Sequence, residues 1–158
     1  MQLNDIEAFV EQFKMNAHPE GGFYSEICRS EIEIPGMDRQ LMTSIYFLLR
    51  SGEVSRFHRI KSDELWFFHA GSPLTVHSLS KEGHTKQLVG LNFAKGESPQ
   101  VLVKAGMIFG SEVSEKNSYS LVSCVCAPGF DFRDFELFDE VTLLRQFPEH
   151  GDVISRLA

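Results

Sequence analysis

The sequence has few cysteines. Cys28, Cys124 and Cys126 are the only three among 158 residues, and no Cys-x-x-Cys spacing occurs. An odd number of thiols without paired spacing argues against a disulfide framework and favours reduced thiols in a cytoplasmic protein. Cys124 and Cys126 lie two apart in an apolar run, so we expect them on one face of a strand as small core side chains.

Basic residues and long apolar runs are also scarce. Fifteen Lys and Arg stand against 22 Asp and Glu, which gives a formal net charge of −7. Nucleic acids and anionic bilayers require clustered cations, so we expect neither as a partner. No run approaches the ~18 apolar residues of a membrane helix, and the acidic amino-terminal stretch is not typical of a signal peptide.

Phenylalanine is abundant, with 14 residues, which indicates a core or a pocket built from flat rings. About nine to eleven short strand-like segments follow one another, separated by turn residues. Helical spacing is confined to residues 5–15 and 139–157. The pattern predicts one domain, 1–158, that is mainly β, with an antiparallel sandwich or barrel over about 22–138.

One hairpin carries the clearest chemical signal, in the stretch GEVSRFHRIKSDELWFFHAG. His58 and Ile60 share a face of one strand, and Glu64 begins the next strand after a tight turn. We predict that His58 and Glu64 point into one cup, where the carboxylate orients the imidazole as a general base. With a further histidine the same groups would form a transition-metal site.

Other side chains are predicted to complete this cup. Tyr46, in the apolar strand 41–50, is our first candidate for a proton donor, with Ser44 on the same face. Arg56 shares parity with His58 and would meet a substrate carboxylate or phosphate, or else form a salt bridge at the rim. Trp66 would make the surroundings apolar.

A second polar cluster lies in AHPEGG, before the first long strand. Gly21 and Gly22 permit a turn and a close backbone approach. His18 and Glu20 would then lie over the mouth of the cup, where Glu20 is an alternative acid; a simple solvated connection is the other interpretation. Near the carboxyl terminus, the phenylalanines of PGFDFRDFEL would close one end or form a subunit interface.

The spacing Gly52-x5-His58-x-Ile60-x3-Glu64-x6-Gly71 resembles the first motif of the cupins, Gly-x5-His-x-His-x3-4-Glu-x6-Gly. Ile60 replaces the second histidine. The second motif, Pro-x-Gly-x2-His, resembles residues 104–109, where Phe109 replaces the metal histidine. Since these two side chains have no lone pairs, we predict no cofactor, or at most a divalent metal bound weakly by His58 and Glu64.

Longer blocks are similar to the cupin-5 family, a domain of unknown function: HPEGGFYSEICRS, TSIYFLL, FHRIKSDELWFFHAGSPL, PQVLVKAG and APGFDFRDFEL. The resemblance implies a double-stranded β-helix, or jelly-roll cupin barrel, with short flanking helices at both termini. It places the chain in the same broad group as sugar-nucleotide 3,5-epimerases, whose metal-free members pair a histidine base with an acidic residue and a tyrosine acid. It also implies a ligand contact at Gln100, and we expect Phe109 to line the same apolar cup as Trp66.

Two classes of function remain open at this point. The first is a metal-free isomerase or epimerase acting on a small polar or sugar-nucleotide-type molecule. The second is a barrel that binds a small molecule without converting it, and a metal-dependent cupin enzyme with an atypical ligand set is a third interpretation. We also predict a homodimer formed through the strand at residues 23–34, the best candidate for an exposed edge.

Overall fold

The computed structural model describes residues 4–158, with side chains from residue 6 onward. Three α-helices flank a β-rich centre: α1 (Asn4–Gln12), α2 (Glu140–Gln146) and α3 (Gly151–Leu157). Short 3₁₀ turns occupy Phe93–Lys95, Phe132–Asp134 and Pro148–His150. The strands are β1 (Asn16–Ala17), β2 (Phe23–Arg29), β3 (Thr43–Arg50), β4 (Val54–Arg59), β5 (Asp63–Gly71), β6 (Leu74–Ser80), β7 (Gly83–Val89), β8 (Glu97–Ser98), β9 (Gln100–Val103), β10 (Ile108–Val113), β11 (Tyr119–Ala127) and β12 (Glu136–Leu137).

The strands form two six-stranded sheets. The first has the order β1-β2-β3-β11-β5-β9 and the second β12-β4-β10-β6-β7-β8. All pairs are antiparallel except the short pair of β7 and β8. The predicted mainly β jelly roll is therefore confirmed, as a two-sheet sandwich in which neither sheet closes on itself.

Three apolar layers hold the sandwich together. The central layer lies between the sheets and includes Phe47, Trp66 and Phe109. A second layer packs the carboxyl-terminal helices against the outer face of the second sheet through Phe57 and Ile154, among others. The third places α1 on the outer face of the first sheet. Because β3 is covered on both sides, it is apolar on both faces, as its sequence predicted.

Predicted element boundaries hold within a few residues, with one clear difference. The helix predicted at 5–15 ends at Gln12, and the tail 139–157 divides into two helices at Pro148. The strand predicted at 23–34 ends at Arg29, beyond which the chain turns back as a hairpin with a single bridge between Glu33 and Gln40. None of the described helices combines the length and hydropathy needed to span a bilayer.

Strand β2 leaves part of one edge open. The two residues of β1 pair with Phe23 and Tyr24 only, and the rest of β2 has a strand neighbour on one side, β3. Apolar side chains are exposed on or after this strand, with Ile27 at 52% and Ile32 at 64% of full exposure. An open, apolar edge is a surface on which a second strand can pair.

We expect a homodimer through this edge, with twice the monomer mass of 17.9 kDa by light scattering. Ile27→Lys should yield the monomer, because a charge would be buried in the paired edge. Leu91→Lys is the matched control, since that side chain is equally exposed at 58% but lies away from β2. A wild-type mass near 17.9 kDa at micromolar concentration would contradict the dimer.

Candidate functional site

A cavity of about 410 Å³ lies at one end of the sandwich. This volume falls within the range of small-molecule sites in proteins. Its wall combines polar and aromatic side chains from the segment before β2, from β2, β3 and β11, from the hairpin of β4 and β5, and from the segment after β11. The lining residues are His18, Glu20, Tyr24, Glu26, Arg29, Thr43, Ile45, Phe47, His58, Ile60, Glu64, Cys124, Cys126, Phe130, Asp131 and Phe132.

The turn of two glycines carries Glu20 into the cavity wall. Gly21 and Gly22 have φ angles of +117° and +73°. A Cβ atom on Gly21 would lie 2.0 Å from the carbonyl oxygen of Val54, and one on Gly22 would lie 2.7 Å from that of Leu48. Only glycine fits both the backbone conformation and the contact. The expected turn and close backbone approach are thus confirmed.

Glu20 and His58 form a buried pair. The Nε2 atom of His58 lies 3.0 Å from Oε2 of Glu20. The hydroxyl of Ser55 donates to Oε1 of Glu20 at 2.8 Å, and the other ring nitrogen of His58, Nδ1, lies 2.7 Å from the carbonyl oxygen of Arg56. Both ring nitrogens and both carboxylate oxygens are therefore engaged inside the protein.

This geometry fixes the charge of the pair. The carbonyl of Arg56 can only accept, so Nδ1 of His58 carries a proton, and Nε2 carries a second one when it donates to ionised Glu20. Burial favours a neutral imidazole, but the Glu20 carboxylate outweighs burial and raises the pKa of His58. For Glu20 burial acts first as well, and the charge and hydrogen bond of His58 overcome it and lower the pKa. The pair is an imidazolium and a carboxylate.

His18 is neutral beside this pair. Its Nδ1 accepts the backbone N–H of Glu20 at 3.2 Å, so the remaining proton lies on Nε2. Burial lowers the pKa of His18, and the opposing effect of the Glu20 carboxylate is smaller. His18 therefore offers the cavity a neutral N–H donor at neutral pH.

Glu64 has a different environment. Its side chain is buried, with 7% exposure, and no Lys, Arg or His nitrogen among the described residues forms a salt bridge with it. Burial, followed by the charge of Glu20, raises the pKa of Glu64 to about 7, although the charge of His58, and after it Cys124 and Trp66, lower it in part. The indole N–H of Trp66 has no hydrogen-bond partner of normal geometry among the described residues. Glu64 is thus a carboxyl group that titrates near neutral pH.

The structure brings together four of the predicted site residues. His18, Glu20, His58 and Glu64 all line the cavity, as the two sequence clusters predicted. The predicted partnership of His58 with Glu64 is wrong: the hydrogen-bonded partner is Glu20. The reason is the glycine turn, which inserts the first cluster between the strands and supplies a carboxylate at closer range.

Tyr46 and Ser44 do not line the cavity, and their predicted orientation is wrong. On β3 the side chains that face the cavity are Ile45, Phe47 and Thr43. Tyr46 faces the opposite side, where its ring lies 4.9 Å from that of Phe13 and belongs to the layer under α1. The alternation along β3 correctly separates Thr43, Ile45 and Phe47 from Ser44 and Tyr46. Because β3 is apolar on both faces, however, its sequence does not show which of the two groups faces the cavity.

The predicted inward orientation of Arg56 is also wrong, because of a β-bulge. Phe109 pairs with His58 and Ser111 with Ser55, so β4 contains one extra residue. The bulge reverses the alternation, and Ser55 rather than Arg56 faces Glu20. Arg56 instead donates to the carbonyl of Pro19 at 2.7 Å, and so holds the glycine turn against β4.

Three predicted ligand contacts lie elsewhere. Trp66 is 1% exposed and Phe109 is fully buried, so they belong to the core behind the cavity and not to its wall, although the Phe109 ring lies 4.2 Å from that of His58. Gln100 lies in a separate surface depression beside His77 and Glu112. It is at the edge of the first sheet, on β9, where it pairs with Phe67, three positions along β5 from Glu64.

Several lining residues were not predicted as site residues. Tyr24, Glu26 and Arg29 come from β2, whose weak alternation hides an inward-facing set. Phe130 and Phe132 form part of the wall, so the predicted closure of one end is in fact the closure of this cavity. Cys124 and Cys126 share a face as expected, and that face is also in the wall. The quoted family blocks contain the positions on β2 and the two phenylalanines, which was the available signal for them, but not Cys124 and Cys126.

The residues at the cupin metal positions do not fit a tightly held metal. Ile60 and Phe109 have no lone pairs, and His58 already uses both ring nitrogens. Within residues 4–158, no group of three or more His, Cys, Asp or Glu side chains has an arrangement that could hold a metal ion. The reactive groups that the chain itself provides in this cavity are His18, Glu20, His58 and Glu64.

A jelly-roll sandwich with a polar cavity at one end, built around a histidine and two glutamates, defines a protein of the cupin class. The model of one cupin family, described as "Cupin superfamily (DUF985)", matches residues 7–138. The chain belongs to this family.

The chain is similar to other proteins along most of its length. A crystal structure of protein SO0799 from Shewanella oneidensis has 46% identity and a TM-score of 0.92, with 100% of this chain and 98% of that chain covered. A hypothetical protein from Leishmania major has 38% identity and a TM-score of 0.90, with 96% and 97% covered. The uncharacterised yeast protein YML079W is 26% identical, over 83% of this chain and 74% of its own length.

Oxalate decarboxylase from Bacillus subtilis, in an E162A mutant form, is similar in fold. The identity is 16% and the TM-score 0.58, over 91% of this chain and 37% of the enzyme. At this identity the similarity extends to the jelly roll alone.

We expect Glu64→Gln to stabilise the protein at alkaline pH. The unfolded carboxyl loses its proton near 4.5 and the folded one near 7, so the folded state binds more protons between these values and wild-type stability falls as pH rises through them. Glutamine removes this dependence. Its gain in unfolding free energy at pH 8 should exceed that at pH 5 by about 2 kcal/mol.

Urea denaturation at both pH values measures this difference, with the exposed Glu115→Gln as the control. A gain for Glu64→Gln that is equal at pH 5 and pH 8 would show that Glu64 is not held in a charge-disfavouring environment.

Proposed function

We propose that the chain binds a small polar molecule in this cavity and transfers protons on it, in the manner of a metal-free isomerase or epimerase. The observation that carries the proposal is the Glu64 carboxyl, which lines the cavity, has no salt-bridge partner among the described residues and has a pKa of about 7. A general base works best when its pKa lies near the working pH, because it is then both available and reactive.

Glu64, and not His58, is the base in this proposal. His58 donates through both ring nitrogens and has no free lone pair toward the cavity. The imidazolium of His58 and the carboxylate of Glu20 instead form a fixed dipole next to the ligand. Two titratable sites whose environments push their pKa values apart are typical of acid-base catalysis.

Tyr24 is the tyrosine best placed to donate a proton. It lines the cavity, and its ring lies 4.8 Å from that of His18. Tyr46 is separated from the ligand by the sheet itself. A base and a hydroxyl donor in one cavity would allow a proton to leave one carbon while another is delivered to an oxygen.

The cavity gives little support to a sugar nucleotide as the ligand. Its one arginine, Arg29, donates to Glu26, Gln40 and the carbonyl of Phe130. These five hydrogen bonds use the five N–H groups of the guanidinium. A diphosphate would therefore find no free cationic side chain among the described lining residues, and we propose a ligand without phosphate.

Deuterium exchange can test the proposed proton transfer. The protein is incubated in deuterated water with a panel of aldoses, ketoses, amino sugars and amino acids, and incorporation at carbon is followed by NMR. We expect exchange into at least one member, with a rate that rises with pH through about 7 as Glu64 loses its proton. Glu64→Gln should slow exchange by roughly 10²–10⁴-fold.

Two tyrosine variants provide a matched comparison. Tyr24→Phe should slow exchange about tenfold or more, whereas Tyr46→Phe, which alters the opposite face of the sheet, should leave it unchanged. Panel members that bind in the cavity without any exchange would contradict the proposed enzyme and favour a binding module.

A further inference from the structure

The acidic side chains of the cavity are not all neutralised. Four carboxylates line it: Glu20, Glu26, Glu64 and Asp131. Glu20 pairs with His58 at 3.0 Å, and Glu26 pairs with Arg29 at 2.8 Å. Asp131 pairs with Arg39 at 3.0 Å and with Arg133 at 2.8 Å. Glu64 alone has no cation within salt-bridge distance among the described residues.

Leaving Glu64 without a salt-bridge partner has an energetic cost. Its side chain is more than nine-tenths buried, and an ionised carboxylate in such a place is costly unless a positive charge is close. The imidazolium of His58 is already balanced by Glu20, and the neutral His18 adds no charge. The cavity therefore has a buried anionic position that no described residue pairs with directly and that the charge of His58 offsets only in part.

The remaining wall suits a cation as well. Tyr24, Phe47, Phe130 and Phe132 line the same space, and the rings of Phe130 and Phe132 lie 4.8 Å apart, edge to face. Aromatic faces attract ammonium and guanidinium groups. The same ring faces and carboxylates would repel an anion.

We propose that the ligand of this cavity carries a positively charged nitrogen, as an amine or guanidine, and that this nitrogen pairs with Glu64 between the aromatic side chains. The inference rests on the proposed function, because it assigns a substrate class to the same site. The ammonium would donate hydrogen bonds to the carboxylate and lie against the ring faces. The attraction between the ammonium and the carboxylate would offset the loss of water by both charges.

Three probes of similar size can separate charge from shape: benzylamine, benzyl alcohol and benzoate. Calorimetric titration of the full chain at pH 8 should show benzylamine binding about tenfold more tightly than either of the others. In Glu64→Gln this preference should disappear, and in the control Glu115→Gln it should persist. Because Glu64→Gln keeps the shape of the side chain, its binding of benzyl alcohol reports whether the cavity remains intact.

Proton release provides a second readout. Near pH 7 about half of the Glu64 carboxyls carry a proton, which an arriving ammonium displaces. Titrations in two buffers with different ionisation enthalpies should give release of about half a proton per benzylamine bound at pH 7 and almost none at pH 8, where the amine still carries its proton and Glu64 has lost most of its own. Glu64→Gln should abolish the release.

Three results would overturn the inference: equal or tighter binding of benzyl alcohol or benzoate, a preference for benzylamine that survives in Glu64→Gln, or no binding of any probe at 10 mM. These results are distinct from a failure of the proposed enzyme. Preference for the amine without any deuterium exchange would remove the enzyme and keep the ligand class. Exchange on neutral substrates without amine preference would do the opposite.

Discussion

The buried ion pair between Glu20 and His58 is the interaction on which the rest of the site depends. It requires a glycine turn that lets the backbone of residues 21 and 22 touch neighbouring strands, and a bulge in β4 that turns Ser55 toward the carboxylate. Removing one partner of a buried pair leaves an uncompensated charge, which costs about 3–5 kcal/mol. The pair therefore joins the amino-terminal segment to the second sheet, and the cavity takes its shape from that junction.

The pairing also determines the state of Glu64. Because His58 forms its ion pair with Glu20, its charge offsets only part of the burial and the like charge that raise the pKa of the second carboxyl. One glutamate is thus held ionised and the other titrates near neutral pH. If His58 were turned toward Glu64, the pKa values of the two glutamates would be reversed. The 3.0 Å contact between His58 and Glu20 therefore decides which of two chemically identical side chains is ionised.

Much of the fold could be predicted from the sequence, and four of the ten predicted site residues line the cavity. The turn residues that separate the strands and the cupin-like spacing around His58 and Glu64 are local features, which can be recognised in a sequence. The inward set of β3 could not be read, because both faces are apolar and Tyr46 and Phe47 are equally suited to burial. The bulge at Arg56 was also hidden, since one extra residue leaves no mark on composition.

The apolar residues at two cupin metal positions change how negative charge in this cavity is balanced. A metal ion would supply a fixed positive charge beside the histidine and glutamate, but Ile60 and Phe109 offer it no lone pairs and exclude water from the same space. Glu20 is balanced by His58 within the chain. The charge of His58 offsets the ionised Glu64 only in part, so a proton and a cationic ligand of the proposed class would compete for this carboxylate. Under the proposed function, ligand affinity is therefore coupled to proton binding.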